Sequence, residues 1–320
     1  MSARTHVPLN VLVLACGGSV GHGVLKTLAM SNLRCRVIGA DIAPEKVGLY
    51  TVDTAYVSPW AHDPAFMPWL LSTCSAENVD AIIGVAEPVL KVLAAEQERI
   101  REETGAVCLV STPETFNIGD DKLLTSRWLA EQGLDGPSFA AADDPEALAS
   151  LVSNVGYPLI AKRRVGGGAN GLVHVLDEDA LSRIAGRADY VVQQSIGSDD
   201  DEYTVGCMCD RDGELRGTIV FRRRLQWGST VFVEAGEFPE IRAAAEAITQ
   251  ALRPRGPINL QFRMHEGRAS CFEFQVRFSG TAPVRARFGF NEVEAALLHF
   301  VQRKEFPALP QVTAGCMARF

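Results

Sequence analysis

The chain has 320 residues, 47% of them apolar and 22% charged, with 31 basic and 39 acidic side chains and a formal net charge of −8. This length and apolar fraction allow a large buried core and exclude a disordered or collagen-like chain, and no apolar run nears the ~18 residues that cross a bilayer. The acidic balance excludes a generic nucleic-acid binder, so neither nucleic acid nor membrane is expected as a partner.

Eight cysteines are scattered, Cys207 and Cys209 being the only close pair, so neither a disulfide framework nor a zinc site is expected. Met1 to Asn10 lacks the apolar stretch of a signal peptide, which predicts a cytoplasmic setting. The single dense basic run, Arg222 to Arg224, suits an anionic small molecule.

Val11 to Cys16 is a short unbroken apolar run ending in glycines, as a strand buried on both faces of a parallel sheet reads. A helix carrying Val24, Leu25 and Leu28 follows, and strands at Arg36 to Ala40 and Asp80 to Val85 end at Asp41 and near Glu87. Between these strands, Asp63-Pro64 reads as a helix cap and first-turn proline. The βαβαβ order predicts an α/β fold with a doubly wound parallel sheet, whose ligands sit beyond the carboxyl ends of the strands. Gly17, Gly18, Gly21, Gly23, Asp41 and Glu87 fall there. The run Gly18-Ser19-Val20-Gly21-His22-Gly23 has two readings: a dinucleotide fingerprint with Asp41 as its ribose acid, or a turn that lets a helix pack closely on its strand.

Another strand is expected within residues 105 to 112, then helices opening at Thr112-Pro113, after Asp120-Asp121-Lys122, and at Asp144-Pro145. Tyr157 to Lys162 reads as a strand ending in a lysine, followed by Gly166-Gly167-Gly168-Ala169-Asn170-Gly171 and a strand from Leu172 to Leu176. This is no Walker loop, since a strand follows and Gly-Lys-Ser/Thr is missing. Glycines that let backbone N–H groups approach a polyphosphate, beside a lysine, describe a phosphate-covering loop; a plain hairpin turn is the alternative.

Pro257 to His265 and Ala269 to Val276 pair about a Glu266-Gly267 turn, so Glu273 and Gln275 project from one face and Gln261 joins them. One carboxylate and two amide oxygens suit a hard cation such as Mg2+ that takes its other ligands from phosphates. Arg277 and Arg285, with Ser279 and Gly280 between them, suit phosphoryl oxygens.

These residues resemble the ATP-grasp superfamily, and within it single-unit proteins similar to the large subunit of carbamoyl-phosphate synthase. Val11 to Leu28, Gly39 to Pro59 and Gly84 to Leu93 resemble its N-terminal domain. Lys122, Lys162 with its glycines, Val191 to Val205 and Phe272 to Glu292 resemble the grasp. The most specific piece is Phe272-Glu-Phe-Gln-Val-Arg-Phe-Ser-Gly280, with Gly289-Phe-Asn-Glu292 beyond it. The resemblance implies a pre-ATP-grasp Rossmann-like domain over 1–111, a first grasp part with a lid subdomain over 112–194, and a catalytic α+β part over 195–320.

It further implies that Lys122 and Lys162 contact ATP, that Gly166, Gly167, Gly168 and Gly171 cover its phosphates, that Gln193, Gln194 and Ile196 run along adenine, and that Glu202 binds ribose. Gln261, Glu273 and Gln275 would hold Mg2+, or Mn2+ in its place, and Arg277, Arg285 and Lys162 would be catalytic. Gly18, Ser19, Asp41, Glu87, Arg223, Ser279 and Gly280 would wall the pocket for a carboxylate and an amine, with Asp41 and Glu87 either touching the amine or capping strand ends. Gln275 departs from the asparagine usual in relatives, and Gln193 or Gln194 from a glutamate. The implied activity is ATP-dependent carboxylate–amine ligation through an acyl phosphate. Carbamoyl- or formyl-phosphate-type activation, a non-catalytic ATP-binding module and a homodimer all stay open.

Overall fold

A computed structural model describes residues 8–167, 171–226 and 228–318, and these build three sheets. The first contains β1 (Leu9–Leu14), β2 (Cys35–Asp41), β3 (Thr54–Val57), β4 (Ala81–Gly84) and β5 (Val107–Cys108), all parallel, in the order β3-β2-β1-β4-β5. Helices α1 (Ser19–Ala29), α2 (Phe66–Glu77) and α3 (Glu87–Thr104) make the crossovers. Strand order reverses at β1, so a crevice opens beyond its carboxyl end. Val11 and Val13 enter one core while Leu12 and Leu14 enter another, which is why this strand reads as a continuous apolar run. Two local expectations need correction. β3 went unforeseen because an edge strand only half-buried on one face, here Thr-Ala-Tyr-Val, carries no such run. Pro64 precedes α2 instead of opening it, and Asp63 Oδ1 accepts from the Ala65 amide 2.8 Å away.

The cap-then-proline signals do open α4 (Pro113–Asp120) and α6 (Pro145–Val155), where Thr112 Oγ1 and Asp144 Oδ1 accept from the amides of Thr115 and Ala147 at 3.3 and 3.0 Å. Between them, Asp121 caps α5 (Lys122–Glu131). A four-stranded antiparallel sheet follows, ordered β6-β9-β7-β8 from β6 (Phe139–Ala141), β7 (Leu159–Arg163), β8 (Val173–Val175) and β9 (Tyr190–Gln194), with the short α7 (Glu178–Ser182) leading into β9.

The third sheet is antiparallel, ordered β14-β13-β10-β11-β12-β15. Its strands are β10 (Glu202–Cys209), β11 (Leu215–Gln226), β12 (Ser229–Ala235), β13 (Gly256–His265), β14 (Arg268–Gln275) and β15 (Gly315–Ala318), and α8 (Pro239–Leu252) packs on one face. The expected hairpin is present. Glu266 and Gly267 turn with φ of 49° and 77°, the left-handed pair that matches strand twist, and Gln261 sits opposite Glu273. Helices α9 (Ala282–Arg287) and α10 (Glu292–Ala296) pack against α1, and a single apolar core joins Val11 and Val13 of β1 to Met208, Ile219 and Phe221 of the third sheet. All eight cysteines are free thiols, and no described helix is long and apolar enough to cross a membrane.

Candidate active site

A cavity of about 670 Å³ opens between the carboxyl end of β1, the four-stranded sheet and the face of β13 and β14, a volume in the range of small-ligand sites. The strand register builds its central wall. Glu273 and Gln275 share a face of β14, and Gln275 Nε2 donates to Glu273 Oε1 at 3.0 Å. Lys122, at the first turn of α5 and 8% exposed, donates to the Gly166 carbonyl at 2.7 Å and stands 3.9 Å from Glu273 Oε1. It thereby ties the glycine segment to the metal-type carboxylate.

Lys162, at the end of β7, holds its ammonium 4.8 Å from the centre of the Phe272 ring. Burial pulls its pKa down to about 8, with Glu273 pulling the other way. Gly166 and Gly167 line the cavity beside it. Gly171 does not; a side chain there would strike Arg163 and Tyr190, and Gly168 lies outside the described residues.

Glu202 lines the cavity between two arginines. Both of its oxygens are engaged: Arg223 reaches one at 2.6 and 3.0 Å, and Arg263 reaches the other at 2.7 and 3.0 Å. The carboxylate, in a residue 3% exposed, is thus the centre of an Arg–Glu–Arg clamp. Arg223 also donates to Gln261 Oε1 at 2.8 Å, so this substrate-assigned arginine is part of the frame of the site. Arg263 escaped sequence reasoning. Its only signal is register, since Glu202 pairs with Arg223 on one side and Arg263 on the other.

At the opposite end lie Gly18 and Ser19 at the start of α1, Glu87 at the start of α3, and Ser279 and Gly280 after β14. Arg277 donates to Glu87 at 3.3 Å and to the Phe278 carbonyl at 2.9 Å. Asp41 is a cap: Oδ2 accepts from the Gly17 amide and Oδ1 from the Ile42 amide, each at 2.8 Å. Gly21 serves close packing, since a Cβ there would sit 2.4 Å from the Ala15 carbonyl. Lys46, which sequence reasoning missed, enters this end because Gly17 leaves room; a Cβ on Gly17 would be 2.5 Å from that of Lys46.

Arg285 lies outside the cavity wall, which corrects its catalytic assignment. It is fully buried, bridged to Glu292 at 3.0 and 3.2 Å, and hydrogen-bonded to Asn259. The absence of a side chain at Gly206 makes this possible, since a Cβ there would come within 2.4 Å of the guanidinium carbon. Asn259 does line the cavity, so Arg285 is a positioning residue.

The end nearest β9 holds Gln193, Gln194 and Ile196. Gln193 is 2% exposed; its Nε2 donates to Ser126 Oγ at 3.0 Å, while Oε1 has no partner. A buried acceptor left without a partner costs roughly 1–3 kcal/mol. Among the described residues no three His, Cys, Asp or Glu side chains gather as a metal site. Glu273 with its amide neighbours suits only a cation that brings further oxygens from phosphates.

Residues 189–319 match the family described as ATP-grasp in the biosynthetic pathway with Ter operon, and residues 11–108 match the PylC-like N-terminal domain. Carbamoyl phosphate synthase large chains are similar in sequence: that of Hyperthermus butylicus is 25% identical over 61% of this chain and 20% of its own length. The Paenarthrobacter aurescens protein is 22% identical over 92% of this chain and 29% of its own. The chain therefore spans less than a third of these relatives. Among solved structures, N5-carboxyaminoimidazole synthetase from Staphylococcus aureus, also solved with ADP, superimposes with a TM-score of 0.75 at 12% identity, over 96% of this chain and 81% of that one. The L-amino acid ligase from Bacillus licheniformis gives 0.69 at 19%, over 93% and 75%.

Proposed function

Because residues 189–319 match an ATP-grasp family and the fold is that of the ATP-grasp structures above, we propose that the chain is an ATP-dependent carboxylate–amine ligase that forms an amide or peptide bond and releases ADP and phosphate. One observation carries this reading: a single cavity gathers Lys122, Lys162, Gly166, Glu273 and Arg277 at its middle, with Gln193 at one end and Gly18, Ser19 and Glu87 at the other. That is room for a nucleotide on one side and an acid with its acceptor on the other. The ADP complex of the Staphylococcus aureus structure supports the nucleotide side.

Base and phosphates are held by this chain as follows. Gln193, Gln194 and Ile196 line the adenine side. Lys122 and Lys162 pair with phosphate oxygens, and the Gly166-Gly167 segment offers backbone N–H groups as a lid. Glu273, with Gln261 and Gln275 beside it, would hold Mg2+, which neutralises phosphate charge when bound. Arg277 sits where charge develops on the transferred phosphoryl group and the acyl phosphate. Its contact with Glu87 keeps it aimed until substrate arrives. Gly18, Ser19, Glu87, Ser279 and Gly280 position the acid and the amine, and the Glu202 clamp holds Arg223 and Arg263 rigid beside Gln261 and Ile196. Catalysis on this scheme is positioning and charge stabilisation, without a protein nucleophile.

The bond broken tests the scheme. With a productive acid and amine, 18O in the acid carboxylate should appear in released phosphate, and hydroxylamine in place of the amine should yield a hydroxamate. AMP and pyrophosphate as products would overturn it.

Lys162 provides a second test. Its pKa of about 8 in the free protein rises when phosphates pair with it, so nucleotide binding takes up a proton. Below that pKa the amine is charged in both states and affinity is flat. Above it, affinity falls by up to about tenfold per pH unit until the bound pKa is passed. Calorimetry with ADP near pH 9, in two buffers of different ionisation enthalpy, should show uptake of close to one proton; Lys162→Met should show none.

A further inference from the structure

We propose that the side-chain amide of Asn259 is a further catalytic group, a fixed N–H donor to the terminal phosphoryl group of the bound nucleotide. The inference rests on the nucleotide reading above. Asn259 lies on the cavity face of β13, two residues before Gln261, and pairs with Gln275 on β14. Along that wall the rows run from Arg263, which touches the Ile196 carbonyl at the base end, through Gln261 opposite Glu273, to Asn259 opposite Gln275. Gln275 stands midway in sequence between Glu273 and Arg277, the carboxylate and the cation between which the phosphoryl group passes in the proposed scheme. Asn259 is therefore placed beside the group in transit, one row past Glu273.

The amide can point only one way. Arg285 Nη2 lies 2.5 Å from one of its terminal atoms, and since a guanidinium only donates, that atom is the oxygen. Thr204 Oγ1 donates to the same oxygen at 3.0 Å. Arg285 is itself held by Glu292, and Gly206, opposite Asn259 on β10, leaves the space it occupies. Turning the amide would set N–H donors against the guanidinium, so Nδ2 is the free end. Nδ2 has no partner among the described residues, yet it is not sealed: Asn259 is 4% exposed and keeps that surface where it lines the cavity. A donor aimed in advance at an anionic oxygen needs no reorientation when charge arrives. The buried Arg285 and Glu292 pair thereby decides which end of Asn259 meets phosphate.

Titration calorimetry with Mg2+ compares ADP with AMP-PNP, the imido analogue of ATP that keeps a terminal phosphoryl group. Asn259→Ala should weaken AMP-PNP by about tenfold or more, the worth of a hydrogen bond to a charged group, while moving ADP by less than about twofold. Were Asn259 present only to hold Arg285, both nucleotides would weaken alike; that result, or an unchanged preference, overturns the inference and leaves the ligase reading standing. Should Asn259→Ala fail to fold, Asn259→Asp keeps the oxygen that Arg285 requires and removes the N–H groups. Its loss of AMP-PNP relative to ADP should be at least as large, and no such loss overturns the inference. A wild-type protein that binds neither nucleotide overturns the nucleotide reading and this inference together.

Discussion

Glu273→Ala is expected to cut ADP formation by about 100-fold or more while leaving the thermal unfolding midpoint close to wild type. Glu273 is the only carboxylate among the metal-type residues of β14 and β13, and its side chain is 15% exposed toward the cavity, not packed in the core. Removing it takes away the one full negative charge available to a cation there. It also removes the carboxylate that acts most strongly on Lys162 and stands 3.9 Å from Lys122. Gln275→Asn keeps an amide at its position and should cost far less. Steady-state ADP release with saturating Mg2+ distinguishes the two, and equal mild losses would remove Glu273 from the metal role.

Glu292→Ala should destabilise the fold by about 3–5 kcal/mol, a large part of the 5–15 kcal/mol that holds a typical domain together. Arg285 and Glu292 are both fully buried, and among the described residues the guanidinium has no other carboxylate in contact. Without Glu292 a desolvated positive charge would keep only the amide oxygen of Asn259. The double change Arg285→Leu with Glu292→Leu should cost less than the single one, because it strands no charge. Urea unfolding midpoints of the three proteins check this, and a single variant as stable as wild type would show that water reaches the pair.

The parts of the site legible in the sequence were those written in local patterns. β1 declared itself by an apolar run buried on both faces, and the β13–β14 hairpin by its Glu266-Gly267 turn and alternating Glu273 and Gln275. What stayed hidden depends on pairing across long separations. Arg263 matters because β10 sets it against Glu202, and Asn259 because the same sheet sets it against Gln275. Arg285 read as a catalytic arginine because its burial is decided by Gly206, far away in sequence and directly beneath it. Asp41 and Gly21 carry binding-site chemistry in composition, yet the backbone amides and carbonyls around them use it for the loop itself.

The continuous core between β1 and the third sheet bears on how this protein could be re-engineered. Substrate choice is read partly by Gly18 and Ser19 in the proposed scheme, so exchanging the first hundred residues for those of a relative is the obvious route to a new acid or amine. But α1 also lies against α9 and α10, and its Val24 and Leu28 share one core with Val284 and Val293 of those helices. A chimera cut between the sheets would bring a foreign helix face onto this joint and open or overfill it. The transplantable cassette is therefore discontinuous: the first sheet must travel together with residues 282–301, the segment on which its leading helix rests.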